Sequence, residues 1–286
     1  MRELAELTTK QEWLDPASQG LRSAIDNVFQ GETGRTVKDV LNGVWLGHPL
    51  HPVLTDIPVG AWTMAEVFDA LDAASGGSRY EDAARVCINA GLVGAAGAAV
   101  TGLTDWSDTG QEDRRMGLVH AMLNVTATSL FLTSTLLRRR RRTPAATRMS
   151  AAGYAFAMAG AYLGGALVYK RRIGTDHAVQ GDAPEGFVRT IRFDEIPDGD
   201  KRKVTIGESA VVLVRQGERV CALAERCAHL GGPLSEGEVR DGTIICPWHQ
   251  SQYALADGHV VHGPSTYDQP CYASRISAGF VEVKLD

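Results

Sequence analysis

The sequence predicts a multi-domain α + β protein in which an N-terminal four-helix transmembrane bundle is followed by a small all-β domain. Two observations predict this class. Four apolar stretches lie between residues 53 and 169, each near the ~20 residues needed to cross a bilayer. From residue 187 onward, the pattern changes to short runs of β-forming residues separated by turns.

These changes also predict the domain boundaries and exclude some classes of protein. A length of 286 residues allows two domains. The net charge of −5 is mild, so nothing indicates nucleic-acid binding. The mean hydropathy of −0.11 averages an apolar middle with polar ends. The expected parts are a polar N-terminal segment with short helices at 1–45, a membrane domain at 46–172, a linker at 173–186 and the β domain at 187–286.

The four apolar stretches favour a membrane bundle over a soluble alanine-rich bundle. The soluble alternative stays open because the first stretch carries Asp56, Glu66, Asp69 and Asp72. Small residues nevertheless recur at the spacing typical of membrane helices, and a block of five arginines, 138–142, closes the third stretch as a stop-transfer signal would. The stretches run over about 53–74, 84–103, 116–137 and 151–169.

The C-terminal part reads as a series of short strands. Two of its segments, RQGER and LADGHV, are typical of hairpin turns in which glycine supplies a positive φ. The five cysteines of the chain do not suggest a disulfide framework, and Cys87, Cys221 and Cys271 are expected to be buried as small apolar residues. The predicted strands are RKVTI, AVVLVRQ, ERVCAL, TIIC, QYAL, HVV and FVEVKL.

One motif in this domain carries metal-binding chemistry. Cys227 and His229 form a first pair, and Cys246 and His249 form a second, with the spacing C-x-H-x16-C-x-x-H. Structural zinc sites usually take a ligand pair of the form C-x2–4-C or H-x3–5-H, whereas each pair here holds one Cys and one His. Two facing loops of this kind can give both cysteines to one iron and both histidines to a second, as in a [2Fe–2S] centre with two His ligands.

The stretches CAHLGG and CPWHQSQY resemble the two cluster-binding loops of the Rieske family, and HGP at 262–264 resembles its third loop. This resemblance covers residues 187–286. It implies that Cys227, His229, Cys246 and His249 are the metal ligands and that Pro264 belongs to the loop covering the cluster. With the ligand set complete, His259 and His262 are expected to have no ligand role.

The resemblance also indicates how the cluster is tuned. Gly232 and Trp248 stand where respiratory Rieske proteins carry a disulfide, so the domain is similar here to soluble Rieske ferredoxins. Ser251 and Tyr253 match positions whose hydroxyls donate hydrogen bonds to a cluster sulfide and a cysteine sulfur in respiratory members. Such donors raise a cluster's potential, so we expect an intermediate value.

The membrane half contains LGHPLHPVLTDIPVGAW at 46–62, which resembles a family of bacterial four-helix membrane domains of unknown function. His48 and His51 precede prolines near the start of the first span, and His120 lies near the start of the third, so all three are expected in one leaflet. A histidine pair on neighbouring helices can hold a b-type haem, for which His51 with His120 is the preferred pair and His48 the other candidate. A quinone, another metal, or helix ends that bind nothing are the alternatives.

The expected function is that of a membrane-anchored Rieske electron-transfer protein, a one-electron carrier coupled to a haem b or a quinol in the bundle. The alternatives are an electron-donor component of an oxygenase or of a quinol-oxidising complex, and a redox sensor. Membrane lipid and either a redox partner protein or a quinone are the expected partners. The expected location is the cell membrane, multi-pass. The arginine block favours the cytoplasm and so places the Rieske domain outside, whereas Arg114, Arg115 and the basic residues 170–172 favour the opposite orientation, which stays open. Glu66 and Asp69 are interpreted as a solvated helix end, with a proton path as the alternative.

Overall fold

A computed structural model describes residues 2–140, 143–178 and 184–285, which fold into two compact units. The first, called the helical unit, contains residues 1–30 and 50–173. The second, called the β unit, contains residues 31–49 and 174–286. The N-terminal segment predicted at 1–45 is therefore divided between the two units.

The first three predicted apolar stretches each lie within one long α-helix, and the fourth continues from an α-helix that ends at Gly165 into the π-helical segment Ala166–Lys170. Three regions are long and apolar enough to cross a membrane: Glu81–Ser107, Gln111–Arg139 and Pro144–Lys170. The helix that contains the first stretch, with its four acidic residues, is not among them, so the count of four spans is not confirmed. The described helices are α1 (Arg2–Thr9), α2 (Asp15–Val28), α3 (Gly31–Asn42), α4 (Leu50–Ser75), α5 (Glu81–Ser107), α6 (Gln111–Arg139) and α7 (Thr143–Gly165).

The helical unit contains an internal repeat that the sequence reading missed. Its two halves are the hairpins α4–α5 and α6–α7, each packed mainly within itself. Three residues of α4 recur in α6 at the same intervals of eleven and seven residues: His51, Trp62 and Asp69 correspond to His120, Phe131 and Arg138. Three small residues of α5 correspond to three of α7 at the same intervals of seven and four residues: Gly91, Ala98 and Gly102 correspond to Gly153, Gly160 and Gly164.

Corresponding residues of α4 and α6 meet one another inside the unit. The ring centroids of His51 and His120 are 6.4 Å apart. Trp62 stacks on Phe131 with centroids 4.2 Å apart and planes at 15°. The third pair, Asp69 with Arg138, forms an ion pair. Since the pairs follow in the same order along both helices, α4 and α6 run parallel, and the hairpins are related by an approximate two-fold axis.

The ion pair corrects the interpretation of Asp69 as part of a solvated helix end. The side chains of Asp69 and Arg138 are only 5% and 1% exposed, and the Ser150 hydroxyl donates to Asp69 Oδ2 at 3.1 Å. A buried carboxylate requires such partners because desolvating a lone charge is costly. The first arginine of the five-arginine block is therefore part of the interior. Arg141 and Arg142 of that block lie outside the described residues.

The β unit consists of two antiparallel sheets. One has the strand order β1-β10-β9-β4-β3-β2, and the other has the order β5-β6-β7-β8. Each predicted strand is present, whereas β1, β5 and β9 were not predicted because their sequences are polar or very short. The strands are β1 (Val188–Arg192), β2 (Lys201–Ile206), β3 (Ser209–Gln216), β4 (Arg219–Ala224), β5 (Glu238–Arg240), β6 (Thr243–Ile245), β7 (Gln252–Ala254), β8 (Val260–His262), β9 (Cys271–Ser277) and β10 (Phe280–Lys284).

Strand β3 is covered on both faces and separates two apolar cores. Val211 and Leu213 face one core, while Val212 and Val214 face the other, as the two-residue period of a strand requires. The second core also contains Cys227 and Cys246. The predicted metal-binding residues are thus anchored on a close-packed interior rather than on a mobile surface.

Candidate metal centre

Two loops of identical backbone construction present the predicted ligands. The first follows β4, where the Cys227 N–H donates to Gly232 O at 2.9 Å and the Gly231 N–H donates to Cys227 O at 2.8 Å. The second follows β6 and repeats this pattern: the Cys246 N–H donates to Ser251 O at 2.8 Å and the Gln250 N–H donates to Cys246 O at 3.1 Å. Each pair of hydrogen bonds closes a tight turn that holds a cysteine and a histidine together.

The structure brings the four predicted ligands into one site, with sulfur inside and imidazole outside. Cys227 and Cys246 are 1% and 2% exposed. His229 and His249 are half-buried, and their ring centroids are 5.0 Å apart with planes at 88°. Among the described residues, no group of three or more His, Cys, Asp or Glu side chains is spaced to hold a single metal ion. This arrangement fits a two-iron cluster with separate sulfur and nitrogen ends better than a zinc ion.

The surroundings of the site shift the pKa values of the two cysteines in opposite directions. Hydrogen bonding with Cys227 and with the N–H groups of Trp248 and His249 lowers the pKa of Cys246 to about 7, against the opposing effect of burial. Hydrogen bonding with Cys246, followed by burial, raises the pKa of Cys227. Burial, followed by the nearby His249, lowers the pKa of His229 and keeps that imidazole neutral, the form that ligates metals.

Two buried hydroxyls lie next to this site, as the resemblance implies. Tyr253 is fully buried, and its hydroxyl is 3.0 Å from Cys227 Sγ. Burial and the neighbouring Cys227 sulfur raise the pKa of Tyr253, so the phenol keeps its proton and can donate it to the sulfur. Ser251 Oγ accepts a hydrogen bond from the Ser265 N–H at 3.0 Å. This bond ties the second ligand loop to the third loop.

The third loop contains Pro264, which is half-buried and follows a cis peptide bond from Gly263.

Asp39, a residue that the sequence did not indicate, holds this third loop through two contacts. Asp39 of α3 lies 2.8 Å through Oδ2 from His262 Nδ1, and its Oδ1 accepts the Gly263 N–H at 2.9 Å. Val44 also packs against the core that contains the cysteines. No local pattern marks Asp39, because its partners lie more than two hundred residues away along the chain.

Replacing Asp39 with Ala is expected to loosen the third loop and shorten the lifetime of the metal centre in air. The variant loses two hydrogen bonds, which together contribute on the order of 1–3 kcal/mol. The measurement is the rate at which visible absorption is lost under aerobic conditions. Asp39→Asn, which keeps an acceptor for the Gly263 N–H, is expected to show an intermediate rate. Glu32→Ala on the exposed part of α3 is the control, and equal rates for Asp39→Ala and this control would contradict the role of Asp39.

Of the three histidines singled out in the predicted membrane domain, two lie together and the third belongs to the other unit. His51 and His120 lie together in the helical unit, where each Nδ1 is 2.8 Å from a backbone carbonyl oxygen, that of Ala98 and that of Gly160 respectively. His48 belongs to the β unit, is exposed, and has its Nδ1 3.1 Å from Pro49 O. The first two therefore form the pair preferred from the sequence.

The remaining cysteines and histidines of the β unit have other roles. Cys271 is exposed, so its expected burial is wrong, while Cys221, like Cys87 of the helical unit, is half-buried. The exposed His259 lies 3.1 Å through Nδ1 from Asp268 Oδ1. His262 takes part in the contact with Asp39 described above.

Comparisons with known proteins match both halves of the chain. Residues 47–177 match the family described as predicted membrane protein DUF2231, and residues 187–273 match the Rieske [2Fe–2S] domain. Both resemblances seen in the sequence are thereby confirmed. The two matches meet near the linker between the predicted domains.

Three curated relatives are similar to part of the chain. The ferredoxin subunit of anthranilate 1,2-dioxygenase from Burkholderia cepacia is 32% identical over 93 residues, which are 32% of this chain and 86% of the relative. The ferredoxin component of a Pseudomonas aeruginosa naphthalene 1,2-dioxygenase system is 26% identical over 101 residues, 35% of this chain and 97% of the relative. Human apoptosis-inducing factor 3 is 29% identical over 97 residues, which are 33% of this chain but only 16% of that protein.

Proposed function

Since this chain belongs to the Rieske [2Fe–2S] family through its C-terminal domain, we propose that it is a membrane-anchored one-electron carrier. One observation carries the proposal: two loops of the same construction place two buried cysteines and two half-buried histidines in one site. Cys227 and Cys246 would hold one iron of the cluster, and His229 and His249 would hold the other. When bound, such a cluster supplies the capacity to take up and release a single electron.

The side chains around the site support exchange of electrons at its imidazole end. The cysteine sulfurs are enclosed by the second apolar core, whereas His229 and His249 reach the surface. Trp248 stands beside His249 with centroids 6.5 Å apart and is 55% exposed. Exposed aromatic residues are enriched at docking surfaces. We therefore place the contact with a redox partner protein at Trp248 and the two histidines.

The partner class follows from the relatives. Two of them are ferredoxin components of dioxygenase systems, matched over most of their lengths. A protein that accepts single electrons for oxygen chemistry is thus the favoured partner, and donation within a quinol-oxidising complex is the alternative. A self-contained oxygenase would need a mononuclear iron site with two His and a carboxylate, and the described residues offer no such group.

The helical unit supports the membrane anchoring in this proposal. Three of its helices have the length and apolar character required to cross a bilayer. Many of their large apolar side chains face outward, including Val93, Val125 and Phe156. An outer surface of this kind is expected where lipid, rather than water, surrounds a helix bundle.

The full chain, purified from membranes in detergent, tests this function by low-temperature electron paramagnetic resonance and iron content. We expect a Rieske signal on reduction and extraction from the membrane fraction only with detergent. Cys246→Ser is expected to abolish the signal, because it removes a thiolate ligand. Cys271→Ser, which changes an exposed cysteine of the same unit, is the matched control and is expected to keep the signal. A signal that persists in Cys246→Ser would contradict the assignment.

A further inference from the structure

We propose that His51 and His120 are the two axial ligands of a haem iron held on the two-fold axis of the helical unit. The two residues occupy equivalent positions in the repeated hairpins, on the parallel helices α4 and α6. Cofactor sites in helix bundles are commonly built from side chains on facing helices. This site is separate from the metal centre of the β unit and does not depend on the function proposed for it.

Both imidazoles are held in the tautomer that a metal requires. A carbonyl oxygen can only accept a hydrogen bond, so the Nδ1 atoms that lie 2.8 Å from Ala98 O and Gly160 O must carry the proton. Each Nε2 is then unprotonated and carries the lone pair that can bind a metal. Histidines that bind metals usually donate their other ring N–H to a backbone carbonyl or a carboxylate in this way, which fixes the ring orientation.

Two glycines of the repeat allow the rings to take these positions. A Cβ atom at Gly102 would lie 2.7 Å from His51 Cε1, and one at Gly164 would lie 3.1 Å from His120 Cε1. Each ring therefore turns its Nδ1–Cε1 edge toward the partner helix of its own hairpin. The same arrangement occurs in both halves of the repeat, so the two ligands have closely matched surroundings.

The distance between the rings fits ligands on opposite sides of one metal. A metal–nitrogen bond of about 2.0 Å and a ring radius of about 1.1 Å place the centroids of two trans imidazoles about 6.2 Å apart. At a tetrahedral angle the same bonds bring the centroids to about 5 Å. The observed separation of 6.4 Å agrees with the trans arrangement, and the planes cross at 81°.

The number of protein ligands favours haem over a bare metal ion. No group of three or more His, Cys, Asp or Glu side chains converges here or elsewhere in the described ranges 2–140, 143–178 and 184–285. Zinc and most other divalent ions need about four ligands, and a dication with two neutral ligands is costly inside a membrane. A porphyrin brings four nitrogen ligands of its own and leaves two axial positions, which is the number of histidines present.

One further side chain, Asn124, packs on the His120 ring. Its amide nitrogen lies 3.2 Å from His120 Nε2 and 3.4 Å from His120 Nδ1, over the ring and not along the Nε2 lone pair. The same amide nitrogen donates to the His120 carbonyl oxygen at 2.9 Å, so it has a hydrogen-bond partner that does not depend on Nε2.

Optical spectra of the purified full chain, before and after addition of haemin, test the proposal. We expect one tightly bound haem per chain, with a Soret band and the spectrum of low-spin iron with two nitrogen ligands. His51→Ala and His120→Ala are each expected to weaken haem binding by at least tenfold. His48→Ala, which changes an exposed histidine outside the pair, is the control and is expected to bind haem normally.

Two measurements separate loss of a ligand from loss of folding. The Rieske signal of the same samples reports on the β unit, and free imidazole is expected to restore the low-spin spectrum of His120→Ala by filling the vacated position. The proposal is overturned if the wild-type chain binds no haem, if both alanine variants bind it as tightly as the wild type, or if the chain carries a bare metal ion at the pair instead. These outcomes leave the proposed role of the β unit unaffected.

Discussion

Replacing Asp69 with Asn is expected to destabilise the helical unit by about 3–5 kcal/mol, because the buried guanidinium of Arg138 loses its ion-pair partner. The two side chains are 5% and 1% exposed, so water cannot replace the lost carboxylate. The Ser150 hydroxyl, which now donates to Asp69, gives no compensating negative charge. Unfolding of the purified protein in detergent, followed by helical circular dichroism, measures the change.

Two double variants test whether the effect comes from the pair. Asp69→Leu with Arg138→Met replaces both charges with apolar groups and is expected to unfold near the wild-type midpoint. The charge swap Asp69→Arg with Arg138→Asp is expected to recover part of the loss, because the two positions are equivalent in the repeat. Asp56→Asn on the exposed part of α4 serves as the control. Equal destabilisation of the single and double variants would show that the ion pair is not the cause.

Replacing Tyr253 with Phe is expected to lower the reduction potential of the metal centre by about 40–80 mV. The Tyr253 hydroxyl lies 3.0 Å from Cys227 Sγ and can donate to it, and a hydrogen bond strengthens as negative charge on the acceptor increases. Reduction adds that charge, so the bond favours the reduced form by about 1–2 kcal/mol. For a one-electron couple, 1.4 kcal/mol corresponds to about 59 mV.

A redox titration of the full chain, monitored by electron paramagnetic resonance, measures this shift. Tyr267→Phe is the matched control. It removes a partly buried tyrosine hydroxyl of the same unit, which donates to Gly174 O and not to a cysteine. The control is expected to leave the potential unchanged. If the reduction potential of Tyr253→Phe equals that of the control, the Tyr253 hydroxyl does not affect the potential, although the same residue type occurs at this position in respiratory members.

The candidate metal centre was largely predictable because the residues of each Cys–His pair are close together in the sequence. Both ligand pairs lie within short loops whose hydrogen bonds connect residues four or five positions apart, so their spacing in sequence reflects their spacing in space. The strands around them are also signalled locally, by runs of β-forming residues and by glycine turns. Strands β1, β5 and β9 escaped prediction because pairing with neighbours, rather than their own composition, makes them strands.

In the helical unit, the contacts between residues far apart in the sequence could be predicted only in part. His51 and His120 lie close together, as expected when the direction of successive helices places both near the same end. The repeat that relates them was missed because it preserves intervals and not residue types: Trp62 corresponds to Phe131, and Asp69 corresponds to Arg138. Opposite charges at equivalent positions look unrelated until the helices bring them together as an ion pair.

The sequence by itself predicted the two domain types and that Cys227, His229, Cys246 and His249 lie together, because spacing, periodicity and hydropathy act over short distances along the chain. Only the tertiary structure decided that residues 31–49 join the β unit, that Asp39 holds the third loop, and that Asp69 is buried against Arg138. These contacts join residues that are distant in sequence, and a polar side chain gives no local sign of the partner that will satisfy it.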